Sequence, residues 1–439
     1  MNYNNTNQPI INNSREYLFT KKFLSIHSED RDISRFPVSS QFDIELPQEY
    51  LNVVKVQLVE WSFPSNYYTF SAVAKNLLMS FQISDPYDTA AAYAADPDAF
   101  ASMSTEEYDL QVAISAGLIA FKKSLFVIQI SEGFYNPLQM ATELTNQFNK
   151  TVTDYLNTYF IENGYTTALI DLFNNTTNGI PNYDTQPVVA GYQEFVVFYN
   201  VISQKLLFGN RSSRFIIPSI ITPISKDLVF KYFYLGCTIK RLPQYTDKIL
   251  LFNLGFDLTP AQTTTLTNQQ YARVYYEDTI SSFNNTTNGN GIWLYPSTNI
   301  HPGCNVSYII PIHQINFMGP SHFYLEINEL NNMDELNPYP SLASLNEIST
   351  DTPPNRVNSA FCKISVNSTP ISQWYDRDNT AFKLFNPPAE RLRKLRIKVR
   401  YHDGSLVLFG TFAFSLTLEI SMFNPQQLST LKTVYPYGI

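Results

Sequence analysis

The chain has 439 residues, of which 15% are charged and 15% aromatic, and a formal net charge of −8. That length can hold a large core, as one elaborated domain or two to three ordinary ones. The acidic balance argues against nucleic acid as the main partner of the whole molecule. Charged residues are scarce beside the roughly 25% of an ordinary globular chain, and 32 Phe with 29 Tyr favour strands and surfaces rich in contacts.

Cys237, Cys304 and Cys362 lie far apart with no C-x-x-C spacing, so neither a zinc site nor a disulfide scaffold is expected, and a reducing compartment is the simple setting for folding. The first residues, MNYNNTNQPIINNS, lack the basic and then apolar regions of a secretory signal. No run of about 18 apolar residues marks a membrane-spanning helix. Triplets such as Asn305-Val-Ser307 follow from an Asn- and Thr-rich composition, and their glycosylation is not expected.

In chain order, residues 1–16 are polar and aperiodic and read as a flexible arm. A strand with Leu24 and Ile26 on one face and His27 on the other runs into SIHSEDRD (25–32), a dense cluster of charge. Metal ligands would have to converge from separated elements. Here the carboxylates are neighbours on one loop with Arg31 between them, so His27, Asp30, Arg31 and Asp32 are expected to form a structural network, with Arg31 paired to Asp30 or Asp32. Alternation then predicts strands, with Phe42, Ile44 and Leu46 against Gln41, Asp43 and Glu45, and with Val54, Val56 and Leu58 against Lys55 and Gln57. Residues 85–120 turn to Ala, Asp and Ser and predict an inserted loop or small helices, and SLFVIQI (124–130) resumes as a strand.

Asn136 as cap, Pro137 at the first position, and Leu138, Ala141, Leu144 and Phe148 at helical spacing predict a helix. EFVVFYN and KLLFGN read as two strands around a turn, and the repeated FNNTTNG (173–179 and 283–289) reads as two similar exposed loops. His313 and His322 are placed on strands in IIPIHQINFMGPSHFYLEI; with His27, His301 and His402 they show no metal spacing. Nor is there a G-x-S-x-G or a P-loop. No catalytic, cofactor or metal residue is expected.

Lys394, Arg396, Lys398 and Arg400 alternate with Leu395, Ile397, Val399 and Tyr401. On a strand this makes a row of four cations about 6–7 Å apart, expected to face away from the core as a solvated face or as a contact for an acidic partner. KLRIKVRY and SLVLFG flank His402-Asp403-Gly404, a tight-turn signal between strands. Phe412, Phe414, Leu416, Leu418 and Ile420 then alternate with Ala413, Ser415, Thr417, Glu419 and Ser421. Short strands in this number predict a mainly β, antiparallel sandwich with at least one helix.

The stretch FLSIHSEDRDISRFPVSSQFDIELPQEYLNVVKVQLVEWSFP resembles the N-terminal signature of jelly-roll minor capsid proteins of large nucleocytoplasmic DNA viruses. Ser25, Ile26, Ser28, Asp30, Arg31, Asp32, Pro37, Asn52, Val53 and Pro64 carry it. ISEGFYNPLQMATELTNQFN, FVVFYNVISQKLLF with ILLFNLGF, and RLRKLRIKVRYHDGSLVLFGTFAFSLTLEI are similar to later parts of that family, whereas 85–120 and 257–300 have no counterpart. The resemblance implies an arm (1–16), a jelly-roll domain (17–423) with long insertions near 85–120 and 150–300, and a tail (424–439). It implies a structural, non-enzymatic protein that links or supports major capsid capsomers in an icosahedral virion. Its site would be the inner side of the capsid or between capsomers, after assembly in the host cytoplasm. The major capsid protein and other minor capsid proteins would be its partners, with self-association and membrane contact left open. A surface attachment or carbohydrate-binding role is the alternative.

Overall fold

The computed structural model describes residues 19–64, 69–177 except 73 and 75, 180–181, 191–218, 250–265 except 258, 272–274, 292–319, 321–336, 357–366, 373–376, and 381–423 except 403, 405 and 411. The arm 1–16, the tail 424–439, Asp403 and the second FNNTTNG lie outside the described residues. The chain divides into two compact units, one of residues 1–68 with 320–439, the other of residues 69–319. Every strand pairing in the sheets described below is antiparallel, and the fold is mainly β, of the sandwich type that alternation predicts.

The first unit contains β1 (Phe19–His27), β2 (Gln41–Pro64), β3 (His322–Ile327), β4 (Met333–Leu336), β5 (Val357–Ala360), β6 (Cys362–Ser365), β7 (Gln373–Asp376), β8 (Phe382–Arg400) and β9 (Ser415–Phe423). Its main sheet has the order β1-β9-β2-β8-β3-β6, with β7 also on β2, while β4 and β5 form a separate ribbon. The last strand of the chain therefore lies between the first two. Inward side chains meet as an aromatic seam, with Phe63 stacked on Phe414 at 4.8 Å between ring centres and near Trp61, Phe323 and Phe409. Rings at these separations add to the area they bury.

Three strand expectations change in detail. β2 is one strand of 24 residues, with register shifts against its neighbours between Glu45 and Tyr50 and between Val53 and Lys55, and with Asn52 at φ 52°. The extra residue of such a bulge moves the inward set along the chain, so Val53, Val56, Leu58, Trp61 and Phe63 are buried while Val54 is only half-buried. At the C-terminal end Phe414, Leu416, Leu418 and Ile420 are buried as alternation predicts, but Phe412 lies before β9 and is exposed. The described residues of SLVLFG, 406–410, do not form a strand. They bridge β8 at Leu406, and the turn before them closes by the Gly404 amide donating to the Tyr401 carbonyl, with Gly404 at φ 84°.

The second unit holds two four-stranded sheets. One runs 261–262, 214–217, 78–85, 126–129; the other runs 264–265, 307–309, 205–210, 195–200. Residues 85–120 form helices Thr89–Ala95 and Thr105–Ala120, the latter opened by a capping box of Ser104 with Glu107. Among the described residues His313 lies in a bend and not on a strand, whereas His322 opens β3.

The helix expected after Asn136 spans Pro137–Glu162, with Asn136 and Gln139 capping each other's backbone amides. It outlasts the predicted stretch because Val152, Leu156 and Phe160 continue the buried spacing begun by Leu144 and Phe148. A second stripe of the same helix is polar. Thr145 accepts from the Val197 amide at 2.9 Å, Asn149 accepts from the Phe195 amide at 3.0 Å and donates to its carbonyl at 2.8 Å, and Thr153 accepts from the Tyr192 amide at 2.9 Å. Thr145 and Asn149 satisfy outer backbone groups of strand Phe195–Asn200, which ends its sheet, and Thr153 holds the chain that leads into it. Asn149→Ala is expected to cost about 1–3 kcal/mol and to speed hydrogen exchange at the Phe195 amide, with Asn149→Asp, which keeps the acceptor, falling between.

Candidate functional site

SIHSEDRD forms a corner after β1. The Ser28 side chain is buried, its hydroxyl accepts from the Phe414 amide at 2.8 Å, and its own amide donates to the Phe414 carbonyl at 2.8 Å. The chain leaving β1 is thus pinned to the segment entering β9. Arg31 donates from Nε to the Phe36 carbonyl (2.9 Å), from Nη1 to that of Ser28 (2.6 Å) and from Nη2 to that of Pro37 (3.2 Å). Asp32 accepts from the Ser34 hydroxyl (2.6 Å) and from the amides of Ser34 and Arg35. The Ser34 hydroxyl and these amides hold its carboxyl below the usual carboxylate range.

The expected pairing of Arg31 with Asp30 or Asp32 is replaced by something else. Among the described residues no ion pair joins them; the planar guanidinium gathers three carbonyls, and each carboxylate is left to its own surroundings. The His27 ring meets the Ser25 hydroxyl, at 3.2 Å on the exposed face. Arg31→Ala is expected to lower stability by about 2 kcal/mol in urea denaturation, and Arg31→Lys to recover little of it, because one ammonium cannot serve three carbonyls in a plane.

The basic row lies on β8 with Leu395, Ile397 and Val399 buried beneath it. Its acidic counterpart is within the same sheet. Register places Asp43 and Glu45 of β2 opposite Arg396 and Lys394, and Glu326 of β3 opposite Lys398. Asp43 binds Lys394 Nζ at 2.8 Å and Arg396 Nε at 2.9 Å, and Lys398 lies 3.8 Å from Glu326. The Arg396 hydrogen bond, with Lys394 adding to it against a burial cost, holds the Asp43 carboxyl below its ordinary value.

Arg400 differs from the other three. Its side chain is 1% exposed, against 63% for Arg396. It binds Glu326 through Nε and Glu335 through Nη1, the latter at 2.7 Å, and lies 5.0 Å over the Tyr324 ring. Burial works against its charge, and the two carboxylates more than offset this, so its pKa is raised. His402 Nδ1 also meets Glu335. Removing one member of a buried ion pair leaves the others uncompensated, so Arg400→Ala is expected to cost about 3–5 kcal/mol in urea denaturation, while Arg396→Ala leaves the midpoint nearly unchanged.

His322 adjoins this cluster, with Nε2 3.5 Å from the Tyr324 hydroxyl. Burial first, then the charges of Lys363 and His402, lower its pKa below the ordinary 6.5 against an opposing pull from Glu335. The unfolded chain therefore takes up this proton more readily, and stability falls as pH drops below about 6.5 through the folded value. His322→Gln should remove that part of the slope, read from urea midpoints at about pH 7.5 and 5.5.

A polar cluster that no sequence signal marks lies inside the second unit. Glu194 is buried, accepts from the Ser297 hydroxyl at 2.6 Å and lies 3.7 Å from His301 Nε2. Burial would raise its carboxyl, but His301, Ser297 and Arg211 outweigh that and lower it. The Cys304 thiol donates to the Arg211 carbonyl at 3.3 Å and is pushed up to about 12, chiefly by burial. Ser297 is thus bound to the carboxylate, and burial holds Cys304 as a thiol and not as the nucleophilic thiolate.

No protein-family model matches the sequence, and no curated protein matches it. Among solved structures, the mavirus penton protein aligns at 9% identity and a TM-score of 0.32 over 92% of this chain and 98% of its own. A chain of the Sputnik virophage, solved by cryo-EM, aligns at 10% identity and a TM-score of 0.33 over 93% and 99%. Likeness at this level carries no functional argument.

Proposed function

We propose that the chain is a structural protein of a virus particle, a minor capsid protein whose jelly-roll-type first unit links or supports neighbouring capsomers from the inner side of the shell. The observation that carries this reading is the use made of the signature residues. Ser28 and Arg31 bind backbone groups of the corner after β1, and Asp32 takes the amides of Ser34 and Arg35, as a scaffold's residues do. Contact with an acidic capsid neighbour runs through Lys394, Arg396 and Lys398. These heads stay open to solvent while Asp43 and Glu326 fix their places, so they tune register more than they hold the shell together.

The test is cryo-EM of purified particles carrying an internally tagged chain. Density at a fixed lattice position between capsomers is the expected result, and absence of the chain from particles would sink the reading. Arg396→Glu in the same particles is expected to lower incorporation at low salt more than at high salt.

A further inference from the structure

Three of the most exposed isoleucines of the second unit gather at one hairpin tip. Strands Phe195–Asn200 and Lys205–Asn210 are joined by a turn in which Asn200 Oδ1 accepts from the amides of Ile202 and Ser203, and in which Gln204 has φ 54°. Strand Ser307–Ile309 pairs alongside, with Ile309 opposite Phe208. The segment that leaves it stays with the turn: Lys205 Nζ donates to the Ile312 carbonyl at 2.6 Å, and the Ile315 amide donates to the Gln204 carbonyl at 3.1 Å. Pro311 is buried between two outward residues. Ile202, Ile310 and Ile312 are left 71%, 49% and 64% exposed.

Charge separates this tip from the rest of an acidic chain. Residues 195–210 and 303–320 contain no Asp or Glu, and their only ionisable side chains of basic type are Lys205 and His313. A loop pair with exposed aliphatic ends, a cation and no carboxylate within its own two segments matches a bilayer whose headgroups are anionic: the isoleucines enter the headgroup and upper acyl region. Among the described residues no helix is long and apolar enough to cross a membrane; contact of this kind requires none.

We propose that the 200–205 turn and the 310–315 segment form a membrane-docking tip that seats Ile202, Ile310 and Ile312 in an anionic lipid surface. This stands independently of the capsid reading, since it is tested on the isolated chain. The full-length protein is sedimented with phosphatidylcholine vesicles, either alone or with about 20% phosphatidylserine. The wild type is expected to pellet with the anionic vesicles and much less with the neutral ones. Ile202→Asp with Ile312→Asp should cut the bound fraction at least about fivefold, and the milder Ile202→Ser with Ile312→Ser should act in the same direction with the thermal melt unchanged. Ile33→Asp, which alters an equally exposed isoleucine of the first unit, should bind as the wild type does. A wild type that stays in the supernatant, equal pelleting with neutral vesicles, or an undiminished double variant overturns the proposal. So does sedimentation velocity showing that the wild type self-associates without lipid through these same isoleucines.

Discussion

The main sheet of the first unit is complete only when the two ends of the chain meet. β9 lies between β1 and β2, so β1 has no neighbour in the sheet, and β2 has neighbours on one side only, until β9 arrives. The buried Ser28–Phe414 exchange ties the ends of that joint together. Contacts of such long separation carry a loop-closure cost before they return any burial, and the corner at Arg31 reduces it by holding the path from β1 into β2 in one conformation.

The same long-range pairing decides the electrostatics. Four cations on one strand repel one another, and a sequence in which they stand alone reads as a surface awaiting a partner. The sheet instead places the row between carboxylates of β2 and β3, and its inner end sinks with Arg400 into a cluster with Glu326 and Glu335. What remains for an outside partner is the part of the row where the side chains still reach water.

Local patterns in the sequence were enough for elements whose signal is local. The Asn136 cap, the burial of Leu395, Ile397 and Val399, and the alternation from Phe414 to Ile420 all follow from spacing alone. The charge density of SIHSEDRD marks it in the sequence, but its wiring does not show there, because a guanidinium bonded to carbonyls leaves no mark in side-chain identity. Asp43 stands 353 residues from Arg396, and only the strand register brings them together. The bulges that make Val53 an inward residue depend on what β8 and β9 do opposite them. Glu194 stands about a hundred residues from Ser297 and His301, and only folding brings the two segments together.

The insertion of the second unit's residues between the two sequence segments of the first has a consequence for synthesis. A ribosome that has finished β1 and β2 must still make residues 69–319 before any of β3 to β9 exists, which takes roughly 12–50 s at ordinary elongation speeds. Throughout that interval the second unit can fold and settle, because its strands and helix are contiguous in the nascent chain. The inward faces of β1 and β2, Leu24 and Ile26 on one and Val56, Leu58, Trp61 and Phe63 on the other, meanwhile wait for β8 and β9 to cover them.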